Sequence, residues 1–153
     1  MYEGGITTPL VVHWPARIKT KNQLRHQLGH IIDIMPTCLE AAGAQYPATF
    51  KDKKIIPLEG KSLVPALDDK NIVRDALCLE HQGNRAVRLD NWKLVSKNKD
   101  PWELYDMTQD RTEMNNLIEK YPEKARELQT MYDDWAKRCG VKTWSQIAPS
   151  WEK

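Results

Sequence analysis

The spacing of hydrophobic and polar positions changes along the chain and predicts two regions of different structure. Pro9–Trp14 is short, rich in β-branched residues and almost entirely apolar. This pattern is typical of a strand that is covered on both faces, as in a parallel sheet flanked by helices. Downstream, four residues recur at the spacing of one helical face: Met35, Cys38, Leu39 and Ala42. The first region is therefore predicted to contain one buried strand and one short helix.

Recognisable start and stop residues bound this short helix. Asp33 is the predicted N-cap, and Gly43 is the predicted stop residue just beyond the helix. Pro36 falls in the first turn, where its missing N–H breaks no hydrogen bond. After the helix, residues 44–61 are predicted to form a loop and residues 62–67 a Ser-capped helical turn.

From residue 76 the hydrophobic period becomes two. Four short runs separated by turn residues predict an antiparallel meander. The runs cover residues 76–81, 85–88, 92–96 and 102–105. A linker is predicted to follow, with one helical turn near Asn115–Leu117.

The longest predicted helix comes after this linker. Pro122 opens it at the first helical position, and Gly140 ends it. One face of this helix is apolar, which predicts that it covers one face of the meander. The residues of that face are Ala125, Leu128, Tyr132, Trp135 and Cys139.

Together these elements predict an α+β chain in three parts. Residues 1–70 are expected to be the strand–helix edge of an α/β domain, which lacks the neighbours that a lone strand and helix need to close a sheet. Residues 71–140 are expected to form a small four-stranded antiparallel sheet packed against a long C-terminal helix. Residues 141–153 are expected to be a loosely attached tail.

Composition narrows the class of protein. The 153 residues include 23 Lys and Arg against 21 Asp and Glu, so the net charge is +2. Without a basic excess the chain is not expected to bind nucleic acid. Its apolar runs are too short for a membrane-spanning helix, and no segment typical of a signal peptide follows Met1. The wide spacing of Cys38, Cys78 and Cys139 predicts free thiols, with one disulfide and one free thiol as the alternative.

Six short motifs succeed one another along the chain. The first four are Tyr2-Glu3-Gly4-Gly5 with Pro9 and Trp14-Pro15, Asp33-Ile34-Met35-Pro36-Thr37, Gly60-Lys61-Ser62-Leu63, and Glu80-His81 with Gly83-Asn84-Arg85-Ala86-Val87-Arg88. The last two are Trp92-Lys93-Leu94, and Trp102-Glu103-Leu104-Tyr105-Asp106 with Asn116-Leu117. In this order they resemble the type I sulfatases, the arylsulfatase family of the alkaline-phosphatase-like superfamily. Glu59 stands where that family usually has Asp.

The resemblance implies the C-terminal portion of a sulfatase, whose parent enzyme hydrolyses sulfate esters and is secreted or periplasmic. Such enzymes use a calcium ion and a formylglycine made from the Cys or Ser of a C/S-x-P/A-x-R motif. No Cys or Ser of this chain begins that motif. The family's metal carboxylates and one catalytic lysine lie upstream of the residue that matches Tyr2.

We therefore expect no catalytic residue, metal ligand or cofactor in this segment, and no activity from the segment alone. Calcium and formylglycine are expected in the parent enzyme. The alternative is a stand-alone, non-catalytic binding or assembly module derived from the sulfatase C-terminal subdomain.

One polar cluster is a candidate for substrate binding. The motif places His81, Asn84 and Arg85 around a predicted turn between two strands, where several polar side chains can be directed at one point. The planar fork of an Arg suits a sulfate or a sugar carboxylate. The alternative is structural, with Asn84 shaping the turn and Arg85 pairing with Glu80.

The resemblance also implies the partners of the chain. They are a sulfated small molecule or glycan, and the remainder of the sulfatase domain. Self-association is a further expectation, because the edge of the predicted strand Leu10–Trp14 offers unpaired backbone groups to a second copy. Neither nucleic acid nor a membrane is an expected partner.

Overall fold

The computed structural model of the chain describes residues 1–20, 22–98 and 100–148. The chain divides into two units. The sheet unit consists of Met1–Pro9 and Asp75–Lys153, and the loop unit consists of Leu10–Arg74. Residues Met1–Pro9 therefore belong with the later part of the chain, whereas the sequence patterns group them with the residues that follow.

The sheet unit is built on a four-stranded antiparallel sheet. The strands are β3 (Leu77–His81), β4 (Asn84–Leu89), β5 (Trp92–Ser96) and β6 (Glu103–Asp106), and they lie side by side in chain order. Two-residue turns join the first three strands, since His81 pairs with Asn84 and Leu89 pairs with Trp92. The predicted meander is confirmed, with strand ends within a residue or two of those expected.

A long helix, α4 (Pro122–Cys139), covers one face of this sheet. It begins at Pro122 and ends before Gly140, whose φ of 67° is in the left-handed region that favours glycine. Its buried residues and those of the sheet form one core of Val87, Leu94, Leu104, Ala125, Leu128 and Tyr132. The predicted packing of the helix on the meander is confirmed.

The opposite face of the sheet is buried as well. Ala86, Val95, Tyr105 and Met107 form a second core there, against which Met1, Tyr2 and Leu79 pack. The chain that supplies Met1 and Tyr2 continues into a short helix, α1 (Glu3–Ile6). The sequence pattern predicts the cover supplied by the long helix and gives no signal of this second one.

The helical turn predicted in the linker before α4 begins at the end of the expected range. The carbonyl oxygen of Leu117 accepts the backbone N–H groups of Lys120 and Tyr121, at 3.0 Å each. Before this turn, the side-chain oxygen of Asn116 accepts the backbone N–H groups of Leu104 and Ile118, also at 3.0 Å each. An Asn side chain that bonds nearby backbone groups competes with helix formation, which explains why the turn does not include Asn116.

The region after α4 contains a further element. A four-residue helix, α5 (Trp144–Ile147), begins after Thr143, which forms a capping box with Gln146. The sequence pattern did not predict this element, and the loose attachment of the tail stays a prediction. The rest of that tail, residues 149–153, lies outside the described residues.

The loop unit holds α2 (Ile34–Ala41), which follows a 3-10 turn at Ile31–Asp33, and α3 (Val64–Leu67). Both correspond to predicted helices. A small hairpin of β1 (Thr49–Phe50) and β2 (Lys53–Lys54) lies in the stretch that was predicted to be a loop. Two-residue strands carry too little alternation for the pattern to reveal them.

The predicted strand at Leu10–Trp14 is wrong. The segment runs without assigned secondary structure, and no strand of the described residues pairs with it. Leu10, Val11 and Val12 are 57%, 88% and 48% exposed. A strand exists only through the ladder it forms with neighbours, and the described chain offers this segment none.

A buried carboxylate organises the loop unit. Asp33 is fully buried and accepts the backbone N–H groups of His30 and Lys61, at 2.8 Å each, and an N–H of Arg74 at 2.7 Å. Gly60 lies so close to this turn that a Cβ would meet the Ile32 carbonyl oxygen at 2.1 Å. These contacts join the motif that begins at Asp33 to the motif that begins at Gly60, so both motifs have a structural role in this unit.

Two further observations concern the described residues as a group. None of their helices is both long and apolar enough to span a membrane. The three cysteines are free thiols, with Cys38 and Cys139 exposed and Cys78 partly buried.

Candidate substrate-binding turn and buried ion network

The turn between β3 and β4 is tightly shaped and closely packed. Gln82 and Gly83 both have positive φ, 53° and 83°, as a two-residue primed hairpin turn requires. A Cβ on Gly83 would lie 2.8 Å from Asn98 Oδ1 and 2.9 Å from Trp144 Cβ. The backbone N–H of Gly83 also donates to Glu80 Oε1 at 2.8 Å. Contacts with Asn98, Trp144 and Glu80 therefore fix the position of the turn.

Two of the three candidate binding residues lie together on this turn. His81 and Asn84 are paired across the hairpin, so their side chains emerge on the same face of the sheet. Asn84 Nδ2 donates to the His81 carbonyl oxygen at 2.8 Å. The His81 side chain is exposed, and Asn84 is partly exposed.

The third candidate, Arg85, lies on the other face. Successive residues of a strand alternate, so Arg85 shares the α4 side of the sheet. Its guanidinium carbon lies 4.3 Å from the centre of the Trp102 ring, and one Nη donates to Ser96 Oγ at 2.9 Å. Its Nε is buried and has no hydrogen-bond partner among the described residues.

The ion pair between Arg85 and Glu80 that the structural alternative requires is not seen within the described ranges. Glu80 instead accepts the Gly83 N–H, and Arg85 stacks on Trp102. The structure therefore brings His81 and Asn84 together and separates Arg85 from them.

A buried ion network lies on the sheet face away from α4. Lys93 is 1% exposed, and its Nζ lies 2.8 Å from Glu113 Oε1 and 3.4 Å from Glu3 Oε1. Glu3 also lies 3.0 Å from an Nη of Arg111 and 3.7 Å from an Nη of Arg88. A buried ammonium is tolerated only when carboxylates compensate it in this way.

Sequence reasoning missed this network. Its one sequence signal is Lys93, a charged residue inside the otherwise apolar run of β5. Such a lysine needs a carboxylate partner, but the strand pattern does not say which of the chain's Glu and Asp residues supplies it. Glu3 and Glu113 are 90 and 20 positions away in sequence.

Ionisation states follow from these contacts. Burial alone raises the pKa of Glu3, but hydrogen bonds from Thr7 and Arg111 and the charge of Lys93 outweigh burial, so the pKa lies below its ordinary value. The hydroxyls of Tyr2 and Tyr105 both donate to Glu103, and burial together with these bonds raises the pKa of both phenols.

The described residues do not fit the cofactors of the sulfatase family. No group of three or more His, Cys, Asp or Glu side chains is placed to hold a metal ion within ranges 1–20, 22–98 and 100–148. Burial raises the pKa of the Cys78 thiol to about 11, and no Cys or Ser of the chain begins the C/S-x-P/A-x-R motif in which formylglycine forms. Neither calcium nor formylglycine is therefore assigned to a residue of this segment.

Comparison with known proteins places these features in a family. A family model described as N-sulphoglucosamine sulphohydrolase, C-terminal, matches residues 1–137. An uncharacterized sulfatase of Schizosaccharomyces pombe is 30% identical over an alignment of 149 positions, which covers 92% of this chain and 27% of that protein. The N-acetylglucosamine-6-O-sulfatase of Bacteroides thetaiotaomicron is 30% identical over an alignment of 147 positions, which covers 90% of this chain and 26% of that protein.

Solved structures agree. One, a complex with its substrate D-glucosamine-2-N,6-O-disulfate, matches with a TM-score of 0.53 and 28% identity, over 73% of this chain and 25% of that one. The structure of Ps i-CgsB matches with a TM-score of 0.55 over 68% of this chain and 23% of that one, and at 22% identity it supports the fold alone. The chain spans about a quarter of the length of these proteins. It belongs to the N-sulphoglucosamine sulphohydrolase C-terminal family and corresponds to the C-terminal portion of a sulfatase.

Proposed function

We propose that this chain serves as the C-terminal part of a hydrolase of sulfate esters. The observation that carries the proposal is the family match over residues 1–137. Calcium and formylglycine act in the proposed enzyme outside the described residues of this segment, since none of these fits either group. Residues 1–70, of which Met1–Pro9 pack with the sheet unit in this structure, are the edge of its α/β domain, and residues 71–140 are its C-terminal subdomain. The enzyme is secreted or periplasmic.

The segment alone is expected to be inactive. Sulfate-ester hydrolysis needs an activated nucleophile and cations that neutralise the leaving sulfate, and the segment supplies no candidate for the nucleophile. The test is turnover of an aryl sulfate by the purified 153-residue chain. Release of sulfate above the buffer blank, abolished by EDTA, contradicts the expectation.

The proposed substrate is a sulfated glycan, and the turn of His81 and Asn84 contacts its sugar beyond the sulfate. Supporting this are the exposure of His81 and the placement of both side chains on one face of a rigid turn. The similar proteins named for glucosamine and N-acetylglucosamine sulfates favour an amino sugar. Arg85 is a third proposed contact, but it lies on the opposite face of the sheet and stacks on Trp102, so any contact with the glycan is separate from that of His81 and Asn84.

Variants of a full-length sulfatase that contains this chain test the turn. His81→Ala and Asn84→Ala are each expected to raise KM for the glycan substrate by roughly 2- to 13-fold, which is the loss of one hydrogen bond, and to change kcat much less. A small aryl sulfate, which reaches only the sulfate pocket, keeps its KM. Gln82→Asn is the matched control, because Asn tolerates the positive φ of this exposed position.

The Arg85→Ala variant distinguishes a role of Arg85 in binding the glycan from a role in packing. A rise in KM for the glycan alone assigns a binding role to the guanidinium. An equal loss of activity on both substrates, together with a lower Tm, assigns Arg85 to packing against Trp102 and Ser96 instead.

A second candidate function is a stand-alone binding or assembly module. The specific observation in its favour is the exposed apolar surface of the loop unit, where Leu10, Val12 and Trp14 line a groove of about 250 Å³ together with Ile34 and Cys38. In the first candidate the remainder of the sulfatase domain covers this groove. In the second, a further copy of the chain does so through the edge of Leu10–Trp14.

Sedimentation and hydrogen exchange distinguish these occupants. Concentration-dependent dimers that protect the amides of Leu10–Val12 support self-association. A strict monomer with fast exchange at these amides supports a site kept for the rest of the enzyme. Slow exchange at Leu10–Val12 in a strict monomer contradicts both.

A further inference from the structure

The charge of the chain is divided unevenly between its two units. Leu10–Arg74 carries ten Lys and Arg against six Asp and Glu, a net charge of +4, while the remaining residues carry a net charge of −2. The near-neutral total of +2 conceals this difference. Within the loop unit, the densest group of positive charge is the β1–β2 hairpin, where Lys51, Lys53 and Lys54 accompany a single acid, Asp52.

The hairpin gives these lysines a defined arrangement. Phe50 pairs directly with Lys53, so both side chains emerge on one face, and Lys51 and Asp52 form the turn between them. Both turn residues have positive φ, 49° and 63°. Gly and Asn are the usual residues of such turns, and a lysine there is uncommon.

The tip of the hairpin is open to solvent. Phe50 is 64% exposed. Lys51 Nζ lies 5.5 Å from the centre of that ring. Within the described parts of the chain, none of the three lysines has a carboxylate within ion-pair distance.

We propose that this hairpin is a binding site for a sulfated glycan chain. The Phe50 ring stacks on the apolar face of a pyranose, and the ammonium groups of Lys51 and Lys53 pair with sulfates on that sugar or the next one. The inference rests on the proposed function, because it takes its ligand class from the sulfated substrate. It adds a second contact with the glycan polymer, one that does not use the turn of His81 and Asn84.

An aromatic ring next to unpaired ammonium groups is chemically suited to this ligand. A sugar sulfate presents both a C–H face for the ring and anionic oxygens for the lysines. A polyanion without sugar rings uses only the lysines, so its binding depends on charge and not on Phe50. This difference makes the ring the decisive residue in a test.

Binding is measured by calorimetry on the 153-residue chain, with a sulfated hexasaccharide from heparin as the probe. The chemically desulfated hexasaccharide and inorganic polyphosphate are the comparison ligands. We expect Phe50→Ala to weaken binding of the sulfated probe roughly 5-fold or more, as loss of one stacked ring does elsewhere. Phe50→Tyr keeps the ring and is expected to keep the affinity.

Charge variants complete the set. Lys51→Ala together with Lys53→Ala is expected to weaken binding roughly 3- to 30-fold, since each exposed pair contributes modestly. The control removes two exposed lysines of the sheet unit, Lys120 and Lys142, of which Lys120 also lies over an aromatic ring, at 5.3 Å. It is expected to leave the affinity unchanged.

Three outcomes overturn the proposal. They are no binding of the sulfated probe by the unchanged chain, equal binding of polyphosphate with no effect of Phe50→Ala, and an equal loss in the Lys120 and Lys142 control. The test is independent of catalysis. A full-length enzyme that hydrolyses no sulfate ester refutes the proposed function while the binding result stands. Normal hydrolysis together with any of these three outcomes refutes only the hairpin site.

Discussion

The sheet unit buries its apolar residues, whereas the loop unit leaves similar residues exposed to solvent. In β5, Leu94 and Val95 point to opposite faces of the sheet, and both are fully buried. In the loop unit, Val11 is 88% exposed, and the apolar helix α2 has no buried residue. Burial of such a side chain contributes about 1.5–3 kcal/mol, so the loop unit leaves a large stabilisation unrealised.

Topology explains the difference. Two-residue turns join the first three strands of the meander and a short connection leads to the fourth, so each strand finds its partner nearby; α4 then covers one face, and Met1 and Tyr2 cover the other. A strand of a parallel sheet needs neighbours that arrive through long crossover connections. The segment Leu10–Trp14 has the composition of such a strand, and the described chain supplies no neighbour for it.

The largest expected effect comes from opening a cavity in the sheet unit. Leu128 is fully buried between α4 and the sheet. Leu128→Ala is expected to lower the free energy of unfolding by about 2–5 kcal/mol. Urea unfolding followed by tryptophan fluorescence measures the change.

Val11→Ala in the loop unit is the matched substitution. Because Val11 is already in water, the expected change is within about 0.5 kcal/mol. A cost for Val11→Ala as large as that for Leu128→Ala breaks the comparison, because it means that the isolated chain buries this segment.

A smaller loss is expected when the buried ion network of the sheet unit is opened. Glu113→Ala leaves the Lys93 ammonium with Glu3 alone and removes the acceptor of the Glu3 backbone N–H, at 2.6 Å. Removing one partner of a buried ion pair usually costs at least about 3 kcal/mol. Because Glu3 still compensates the Lys93 ammonium, we expect Glu113→Ala to lower the free energy of unfolding by about 2–3 kcal/mol.

Glu123→Ala is the control within the same unit. Glu123 pairs with Arg126 on α4, but its side chain is 80% exposed. Exposed helical pairs of this spacing contribute about 0.3–0.5 kcal/mol. Equal losses for the two variants mean that the network around Lys93 is not desolvated.

Most of the sheet unit could be predicted because its signals are local. Alternation in β5, the Pro122 start and the Gly140 stop each depend on neighbouring residues. The cover supplied by Met1 and Tyr2 could not be predicted, since it joins positions about a hundred residues apart. The strand predicted at Leu10–Trp14 does not form for a different reason. Its pattern is that of a strand within a larger sheet, and the described residues supply no neighbouring strand.

The candidate turn was partly predictable. The positions of His81 and Asn84 on one hairpin follow from the motif and the two-residue turn. The opposite direction of Arg85 also follows from strand alternation, once the register is known. Its stacking on Trp102 depends on the neighbouring strands β5 and β6 and on α4, which no local pattern reports.

The smallest expected effect is on the pH dependence of the stability of the sheet unit. Hydrogen bonds and the nearby Lys93 hold the pKa of Glu3 below its ordinary value in the folded chain. The unfolded chain therefore binds the proton more readily, so this stabilisation is present above the ordinary pKa of a Glu and is lost as pH falls through the lowered one. Glu3→Gln removes this group. It is therefore expected to reduce the slope of the free energy of unfolding against pH in the acid range by the contribution of at most one proton, about 1.4 kcal/mol per pH unit. Urea midpoints of the sheet unit measured across the acid range test this. An acid limb as steep in the variant as in the unchanged chain assigns the acid sensitivity to other carboxyls, of which Asp106 and Asp110 also have lowered pKa values, held by hydrogen bonds from Thr108 and from the Asn115 backbone.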